Sequence, residues 1–362
     1  MKAVARLQTK SAIIAWLNLM RIGAAARGLL PFFLGTVIAW SRGYPINLPV
    51  FFLSSVAVLS IMVATFLVNE YFDYETDCYN RSFHRLSGGS RVLVSGLIPR
   101  RQALFSAFLL FGLSAACGSI IYFVFQTDPL TIPLGAVAIL TGYFYTAAPV
   151  KLSYRGLGEL AIWFTCGWLA TVIGYYLQTG QMSTTVSLVS LPGAFSVFLL
   201  ILINEVPDME SDAGSGKRNL AVLFGRENTL RIYSVLLVVC WLIIPALIPF
   251  GAPWISGALS VTLVPLAWMN LRDIRRKPEE GRTMSRGTLE KLSVRTMLFD
   301  HTITFIYAVA FVAAGISAGR RSNALVIILL FYLFVFALEG MSLLISSMVP
   351  GRKPTPILVS LK

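Results

Sequence analysis

The sequence contains few charged residues. Asp, Glu, Lys and Arg make up 13% of the 362 residues, whereas a soluble globular domain carries roughly a quarter. Hydrophobic residues make up 56%, and the mean hydropathy is +0.73. This composition excludes an ordinary soluble domain and predicts an integral membrane protein.

Cysteine and histidine are also scarce, with four and two residues respectively. No two cysteines form a CxxC pair, and His84 and His301 do not cluster with each other or with the cysteines. A structural zinc site needs four such ligands, usually at short spacing. The sequence therefore argues against a zinc centre, and most of the cysteines are expected to be packing residues.

Long apolar runs recur along the whole chain. A helix of about 20 residues crosses a hydrocarbon layer of ~30 Å, and helices are the natural spanning structure because lipid satisfies no backbone polar group. The sequence predicts an all-α, polytopic membrane bundle. We place ten spans at residues 24–41, 49–70, 104–125, 132–148, 158–177, 189–206, 230–249, 254–271, 298–317 and 324–348.

The basic residues lie almost entirely on one side of these spans. If the N-terminus is cytoplasmic, 27 of the 30 Lys and Arg residues fall in or beside cytoplasmic segments. The exceptions are Arg42, Arg320 and Arg321. The positive-inside rule therefore predicts two cytoplasmic termini. We expect a plasma-membrane location, although another energy-transducing membrane would give the same bias. Topology and contact with anionic lipid explain the net charge of +13 without nucleic acid.

Residues 1–23 carry basic residues around a short apolar patch, AIIAWLNLM. The patch is too short to span the membrane. We expect this segment to lie along the interface, with Trp16 near headgroup level.

Acidic residues interrupt the apolar pattern at the cytoplasmic end of the second span. In FLVNEYFDYETD, residues 66–77, three oxygen-bearing side chains are spaced by four: Asn69, Asp73 and Asp77. On a continuous helix, residues four apart advance by only about 40°. The three side chains would form a single stripe at the membrane surface.

A second copy of this pattern occurs at the cytoplasmic end of the sixth span. LINEVPDMESDAGSGKRNLAV contains Asn204, Asp208 and Asp212 at the same spacing. Pro207 should disturb the helix just before Asp208, so we expect a less regular stripe. Two such motifs at one face indicate a shared site much more strongly than either motif alone.

Carboxylate and amide oxygens are the ligands that Mg²⁺ prefers, and Mg²⁺ commonly joins one or two carboxylates to substrate phosphates. The pair of motifs therefore predicts a magnesium and diphosphate site. Its predicted metal ligands are Asn69, Asp73, Asp77, Asn204, Asp208 and Asp212. Arg85, Arg91 and Lys217 follow the motifs and are candidates for binding phosphate oxygens, although topology alone also accounts for them. The glycine-rich LSGGSRVLVSGLI, residues 86–98, either covers the site or is a connector.

At these residues the sequence resembles the UbiA superfamily of intramembrane prenyltransferases. The resemblance depends on NEYFDYETD, on NEVPDMESDAGSGKRNLAVLFG, and on their order and separation. GGSRVLVSGLI and YFYTAAPVKLSYRGLGELAIWFTCGWLATVIGYYLQTG are most similar to one branch of the superfamily. That branch prenylates 1,4-dihydroxy-2-naphthoate on the way to menaquinone or phylloquinone.

The resemblance implies a bundle of nine helices, residues 24–317, around a cavity open to lipid. Residues 1–23 would precede this domain, and residues 318–362 would add a tenth helix and a tail. The implied reaction is Mg²⁺-dependent transfer of a polyprenyl group from its diphosphate to an aromatic acceptor. Residue by residue, the resemblance assigns catalytic roles to Asp73, Asp77, Asp208, Asp212, Tyr145 and Lys151, with Arg155 as a further substrate-binding residue.

Two features depart from the family pattern. Glu70 and Glu205 stand where family members commonly have Asp, and the tenth span exceeds the usual nine. The motifs bind only the shared diphosphate, so other acceptors stay open: homogentisate, 4-hydroxybenzoate, chlorophyllide or a secondary metabolite. A terpene cyclase on the same fold is a further alternative. A cation-coupled transporter is the alternative from another class, although transporters usually place their sites near the bilayer midplane.

Overall fold

The computed structural model describes residues 12–80, 87–276, 284–321 and 323–346. All regular secondary structure in these residues is helical. The main helices are α1 (Ala12–Ser41), α2 (Leu48–Phe72), α3 (Arg100–Phe123), α4 (Thr131–Phe144), α5 (Gly158–Thr179), α6 (Thr184–Gly214), α7 (Leu220–Ala246), α8 (Trp254–Arg275), α9 (Arg286–Ser317) and α10 (Asn323–Ser346). Each corresponds to one of the ten predicted spans, which confirms the all-α membrane bundle.

The ten helices differ in their ability to cross a bilayer. Among the described residues, eight helices are long and apolar enough to do so; α4 is shorter, and for α10 this count covers only the apolar stretch Leu325–Val335. Helix α4 has 14 residues, or about 21 Å at 1.5 Å per residue. It ends at Phe144 rather than at the predicted 148, because the chain turns ahead of Pro149, where helical conformation is disfavoured.

Helix α1 is broken near its N-terminal end. Arg21 adopts a left-handed conformation with φ 46° and ψ 47°, and Gly28 marks a second break after the short helix Ile22–Arg27. Ala15 and Leu19 are buried against the apolar side of α2. Residues 12–23 therefore pack into the bundle and help to form an interior wall.

Glycines bring α1 and α5 into close contact. A Cβ atom added at Gly35 would clash with the backbone carbonyl of Thr171, and one at Gly174 would clash with that of Phe32. The Thr36 hydroxyl donates to the Gly174 carbonyl at 3.3 Å. Small residues permit such close approach of backbones in membrane bundles, and here they fix two walls of the interior relative to each other.

Helix α5 contains a π-helical segment, Trp163–Leu169. The wider turn presents Thr165, Cys166 and Leu169 to the interior cavity described below. π-Helical insertions change which side chains share a face, and they often occur at functional sites.

Helix α10 packs along α1 and also reaches α9. Val335 is 1% exposed, and the rings of Tyr332 and Phe305 lie 6.4 Å apart. The tenth helix therefore joins the same apolar core as the preceding helices.

Candidate active site

A cavity of about 400 Å³ lies among α1, α2, α4, α5 and α6, with Asp300 of α9 also in its wall. One end is polar and contains eight of the predicted site residues: Asn69, Asp73, Asp77, Tyr145, Asn204, Asp208, Asp212 and Lys217. The wall continues along α2 to Val58, about 16 Å from Asn69 at 1.5 Å per residue. Pro31, Ile61 and Ile173 contribute to this apolar part.

The first motif keeps its stripe although its helix is interrupted. Helix α2 ends at Phe72, Asp73 forms the break, and the short helix Tyr74–Tyr79 carries Asp77. The Asp77 amide donates to the Asp73 carbonyl at 2.8 Å, so the helical spacing persists across the break.

The second motif is less regular, as Pro207 predicts. A 3₁₀ turn, Val206–Asp208, separates the regular part of α6 from its last turns, which carry Asp212. The Asn219 side chain donates to Asp212 Oδ2 at 2.7 Å, and its own Oδ1 accepts from the Val222 amide at 2.9 Å. Asn219 thus caps α7 while it holds Asp212 in place.

Lys217 lies between the two motifs. Its Nζ is 3.4 Å from Asp73 Oδ2 and 3.8 Å from Asp212 Oδ1. Burial lowers the pKa of Lys217, but the carboxylates of Asp73 and Asp212 more than reverse this, so its pKa lies well above the usual value. A single cation therefore reaches both motifs, which shows that they face each other across a short gap.

Tyr154 contacts the first motif, although it is not in the described cavity wall and the sequence did not predict it. Its hydroxyl donates to Asp73 Oδ1 at 2.8 Å. Burial and the Asp73 carboxylate raise the pKa of Tyr154, so the hydroxyl stays protonated as a donor. The sequence pointed to Tyr154 only through its position between two predicted site residues, Lys151 and Arg155.

Those two basic residues are not part of the cavity wall among the residues that the structure describes. Lys151 Nζ lies 5.0 Å from the centroid of the Tyr154 ring, whereas Lys217 Nζ lies 5.8 Å from the same centroid. Arg155 is exposed and donates to the Pro149 carbonyl at 3.0 Å. Lys151 therefore stands next to the site, and Arg155 is farther out.

The glycine-rich loop covers the polar end of the cavity. The Gly88 amide donates to Asp208 Oδ2 at 3.0 Å, and the Asn80 side chain donates to Asp208 Oδ1 at 2.8 Å. The Arg91 guanidinium donates to the Asp77 carbonyl. Of the two roles expected for this loop, the structure shows the first. Arg85 lies outside the described residues.

Asp77 lies directly under this loop. A Cβ atom at Gly89, whose φ is +72°, would clash with the Asp77 carboxylate. Burial, followed by the nearby carboxylates of Glu70 and Asp73, raises the pKa of Asp77 well above its usual range. Glycine at position 89 is thus required both by its left-handed conformation and by the lack of space.

The two motif asparagines differ in their contacts. The Thr146 hydroxyl donates to Asn69 Oδ1 at 2.9 Å. Asn204 Oδ1 is buried at the cavity and has no hydrogen-bond partner within the described part of the chain. A buried acceptor that faces a cavity with four carboxylates suits a hard cation. No three His, Cys, Asp or Glu side chains are gathered at metal-binding distance in the described ranges.

Residues 28–289 match the model of the UbiA prenyltransferase family. The chain belongs to this family. It is accordingly an integral membrane protein, as the composition predicted, and a transferase, as the resemblance implied.

Curated relatives of this UbiA prenyltransferase cover most of its length. The UbiA prenyltransferase domain-containing protein 1 of Xenopus tropicalis is 28% identical over 256 residues, which cover 71% of this chain and 72% of that protein. The 1,4-dihydroxy-2-naphthoate octaprenyltransferase of Bacillus subtilis is 27% identical over 244 residues, which cover 67% and 76% respectively.

Solved structures share the fold of this UbiA prenyltransferase. A UbiA homolog from Archaeoglobus fulgidus bound to GPP and Mg²⁺ has a TM-score of 0.57 and 19% identity, covering 81% of this chain and 99% of that one. The same homolog bound to DMAPP and Mg²⁺ has a TM-score of 0.58 and 18% identity, covering 81% and 99%.

Proposed function

We propose that the protein transfers a polyprenyl group from its diphosphate to an aromatic acceptor, and that the acceptor is 1,4-dihydroxy-2-naphthoate or a related quinone precursor. The observation that carries this proposal is the position of Lys217, within 4 Å of carboxylates from both motifs at the polar end of an apolar cavity. A prenyl diphosphate has the same two parts, an anionic head and a hydrocarbon tail.

Magnesium fits the polar end because every candidate ligand atom there is an oxygen. One of these atoms, Asn204 Oδ1, is a buried acceptor without a hydrogen-bond partner among the described residues. The residues that would hold it are Asn69, Asp73, Asp77, Asn204, Asp208 and Asp212. Bound Mg²⁺ would neutralise the diphosphate and favour its departure. The Mg²⁺ in the Archaeoglobus fulgidus homolog supports this proposal.

The chain's own residues bind and orient the substrates. In the proposed reaction the allylic C–O bond breaks, and the diphosphate leaves with the bonding electrons. Lys217 would bind its oxygens as a fixed cation, and Tyr154 and Tyr145 would orient the polar groups around it. An aromatic carbon of the acceptor then forms the new C–C bond, and the ring loses a proton or, for a carboxylated acceptor, carbon dioxide.

The apolar part of the cavity would hold the prenyl chain and exclude water from the developing cation. Met62, Phe66 and Leu169 line it alongside the residues named above. Exclusion of water matters because an allylic cation that meets water gives an alcohol rather than a prenylated ring.

The naphthoate acceptor is supported by the Bacillus subtilis relative and by the two sequence stretches that resemble its branch. Homogentisate, 4-hydroxybenzoate and chlorophyllide are the competing acceptors. We further propose a plasma-membrane location with the polar end of the cavity and both termini on the cytoplasmic side. The charge bias supports that orientation.

A product assay tests the proposal. Purified protein in detergent would be given Mg²⁺, prenyl diphosphates of several lengths and a panel of aromatic acceptors, with products read by mass spectrometry. We expect a prenylated naphthoquinol and carbon dioxide, and we expect chelation of Mg²⁺ by EDTA to abolish both.

Product from another acceptor alone would replace the naphthoate but keep the transfer reaction. A cyclised hydrocarbon without acceptor would indicate a terpene cyclase. Absence of metal-dependent diphosphate release with every substrate would contradict the proposed reaction and favour a transporter.

A further inference from the structure

The loop of residues 87–92, over the polar end of the cavity, contains several residues in the left-handed backbone conformation. Gly88, Gly89 and Arg91 have φ values of 71°, 72° and 66°. Left-handed conformation is readily adopted by glycine but costs a non-glycine residue such as Arg91 of order 1 kcal/mol or more. A loop of this kind keeps one shape only if neighbouring groups hold it. Ser90, between these residues, is 2% exposed and makes the contacts that do so.

Glu70 receives the contacts of Ser90. The Ser90 amide donates to Glu70 Oε1 at 2.6 Å, and the Ser90 hydroxyl donates to Glu70 Oε2 at 2.8 Å. Glu70 is itself only 3% exposed. Hydrogen bonds to a charged acceptor are stronger than those between neutral groups, so both carboxylate oxygens are committed to the loop.

Arg21 pairs with the same carboxylate. Its guanidinium forms an ion pair with Glu70 Oε1 and lies 5.4 Å from the centroid of the Phe66 ring. Arg21 is the left-handed residue that breaks α1, and its side chain lines the cavity. Glu70 is therefore the point at which α1, α2 and the loop of residues 87–92 are joined.

We propose that Glu70 is a positioning residue for the diphosphate site. It fixes the positions of the loop of residues 87–92 and of the break in α1. This inference rests on the proposed function, since the site in question is the one for the diphosphate. The held loop keeps the Gly88 amide on Asp208 and Gly89 against Asp77. Through these contacts Glu70 orients both acidic motifs by way of the loop.

The position of Glu70 explains why this chain tolerates a glutamate beside Asn69. Asn69 and Glu70 both line the cavity, and the longer Glu70 side chain also reaches Ser90. An aspartate is one methylene shorter and, on the same backbone, would fall short of the loop. Since donors already occupy both oxygens of Glu70, the structure gives it a role separate from the metal-binding carboxylates.

Three variants and one control test the inference in the full-length protein. Glu70→Asp shortens the side chain, Ser90→Ala removes the hydroxyl, and the double variant combines the two changes. Glu75→Asp is the matched control, because Glu75 lies on the same stretch of chain and its side chain is 70% exposed.

The first readout is hydrogen–deuterium exchange without substrate. We expect amides of residues 87–92 to exchange about tenfold faster in Glu70→Asp and in Ser90→Ala, as loss of one hydrogen bond to a charged group implies. The control should match the wild type. Unchanged exchange in both variants would overturn the proposal, whatever the protein's activity.

The second readout is kinetic. We expect kcat to fall at least about tenfold in Glu70→Asp, because small displacements of site residues lower the rate. The Mg²⁺ concentration for half-maximal rate should be unchanged. The double variant should be little worse than Glu70→Asp, because the two residues act through one contact. A large rise in the required Mg²⁺ in Glu70→Asp, absent from Ser90→Ala, would make Glu70 a metal ligand and overturn the inference. If the wild type formed no prenylated product while exchange changed as expected, only the proposed function would fail.

Discussion

At the scale of single residues, the carboxylates of the two motifs already have different partners. Asp73 accepts from Tyr154 and pairs with Lys217, while Asp208 accepts from an amide side chain and a backbone amide. A cation therefore contacts Asp73 directly, whereas these direct donors to Asp208 are neutral. Both still line one cavity, so each is expected to be essential for a different immediate reason.

We expect Asp73→Ala and Asp208→Ala each to lower turnover by at least about 100-fold, the effect of removing one strong electrostatic contact at a reacting group. Diphosphate release from a prenyl diphosphate measures this, and gel filtration in detergent shows whether the variants fold. Glu75→Ala is the control, since Glu75 is exposed. Near-normal turnover in either aspartate variant would remove that residue from the site.

The sequence was sufficient to predict that the six motif residues and Lys217 lie together, because their spacing and charge are visible in two short stretches of chain. It was insufficient for Tyr154, for Asn219 as a support of Asp212, and for the partners of Glu70. These contacts join residues up to 81 positions apart, and no local pattern distinguishes them from ordinary polar residues. The roles of Lys151 and Arg155 came from resemblance, and the structure places both outside the described cavity wall.

At the scale of helices, hydrophobic length predicted where elements lie but not how they deviate from regular helices. The break of α1 at Arg21 and the π-helical segment of α5 depend on tertiary packing, whereas the early end of α4 follows from the turn ahead of Pro149. The irregular turn at Pro207 was predictable, because proline itself disturbs the helix. Each of these deviations lies beside the cavity and decides which side chains reach it.

The close contact of α1 and α5 gives a prediction at this scale. Gly174→Ala places a methyl group against the backbone carbonyl of Phe32, which has no side-chain freedom to move away. We expect a loss of stability of about 1–3 kcal/mol, typical of overpacking, seen as a lower apparent Tm in detergent.

Gly193→Ala is the matched control for that experiment. Gly193 is also in a spanning helix, and nothing lies within 4 Å of an added Cβ. Equal Tm values for the two variants would mean that α1 and α5 are less tightly packed than the structure shows.

At the scale of the whole molecule, the distribution of Lys and Arg gives a testable orientation. We expect Met182→Cys, in the α5–α6 turn, to react with a membrane-impermeant maleimide in intact cells. Gly287→Cys, near the start of α9, should react only after permeabilisation. Both positions are exposed, and the parent chain measures the background from Cys78. The reverse pattern would put the acidic motifs on the outer side.

The short helix α4 has a consequence for the surrounding lipid. Its length of about 21 Å falls roughly 9 Å short of a typical hydrocarbon layer. Hydrophobic mismatch of this size is met by local thinning of the bilayer or by polar flanking groups that extend to the headgroups. The flank of α4 that begins at Tyr145 belongs to the polar end of the cavity. We therefore expect the headgroup layer to dip beside the site, so that an amphiphile whose tail stays among the lipid chains would meet the acidic motifs at the depth of its own polar head.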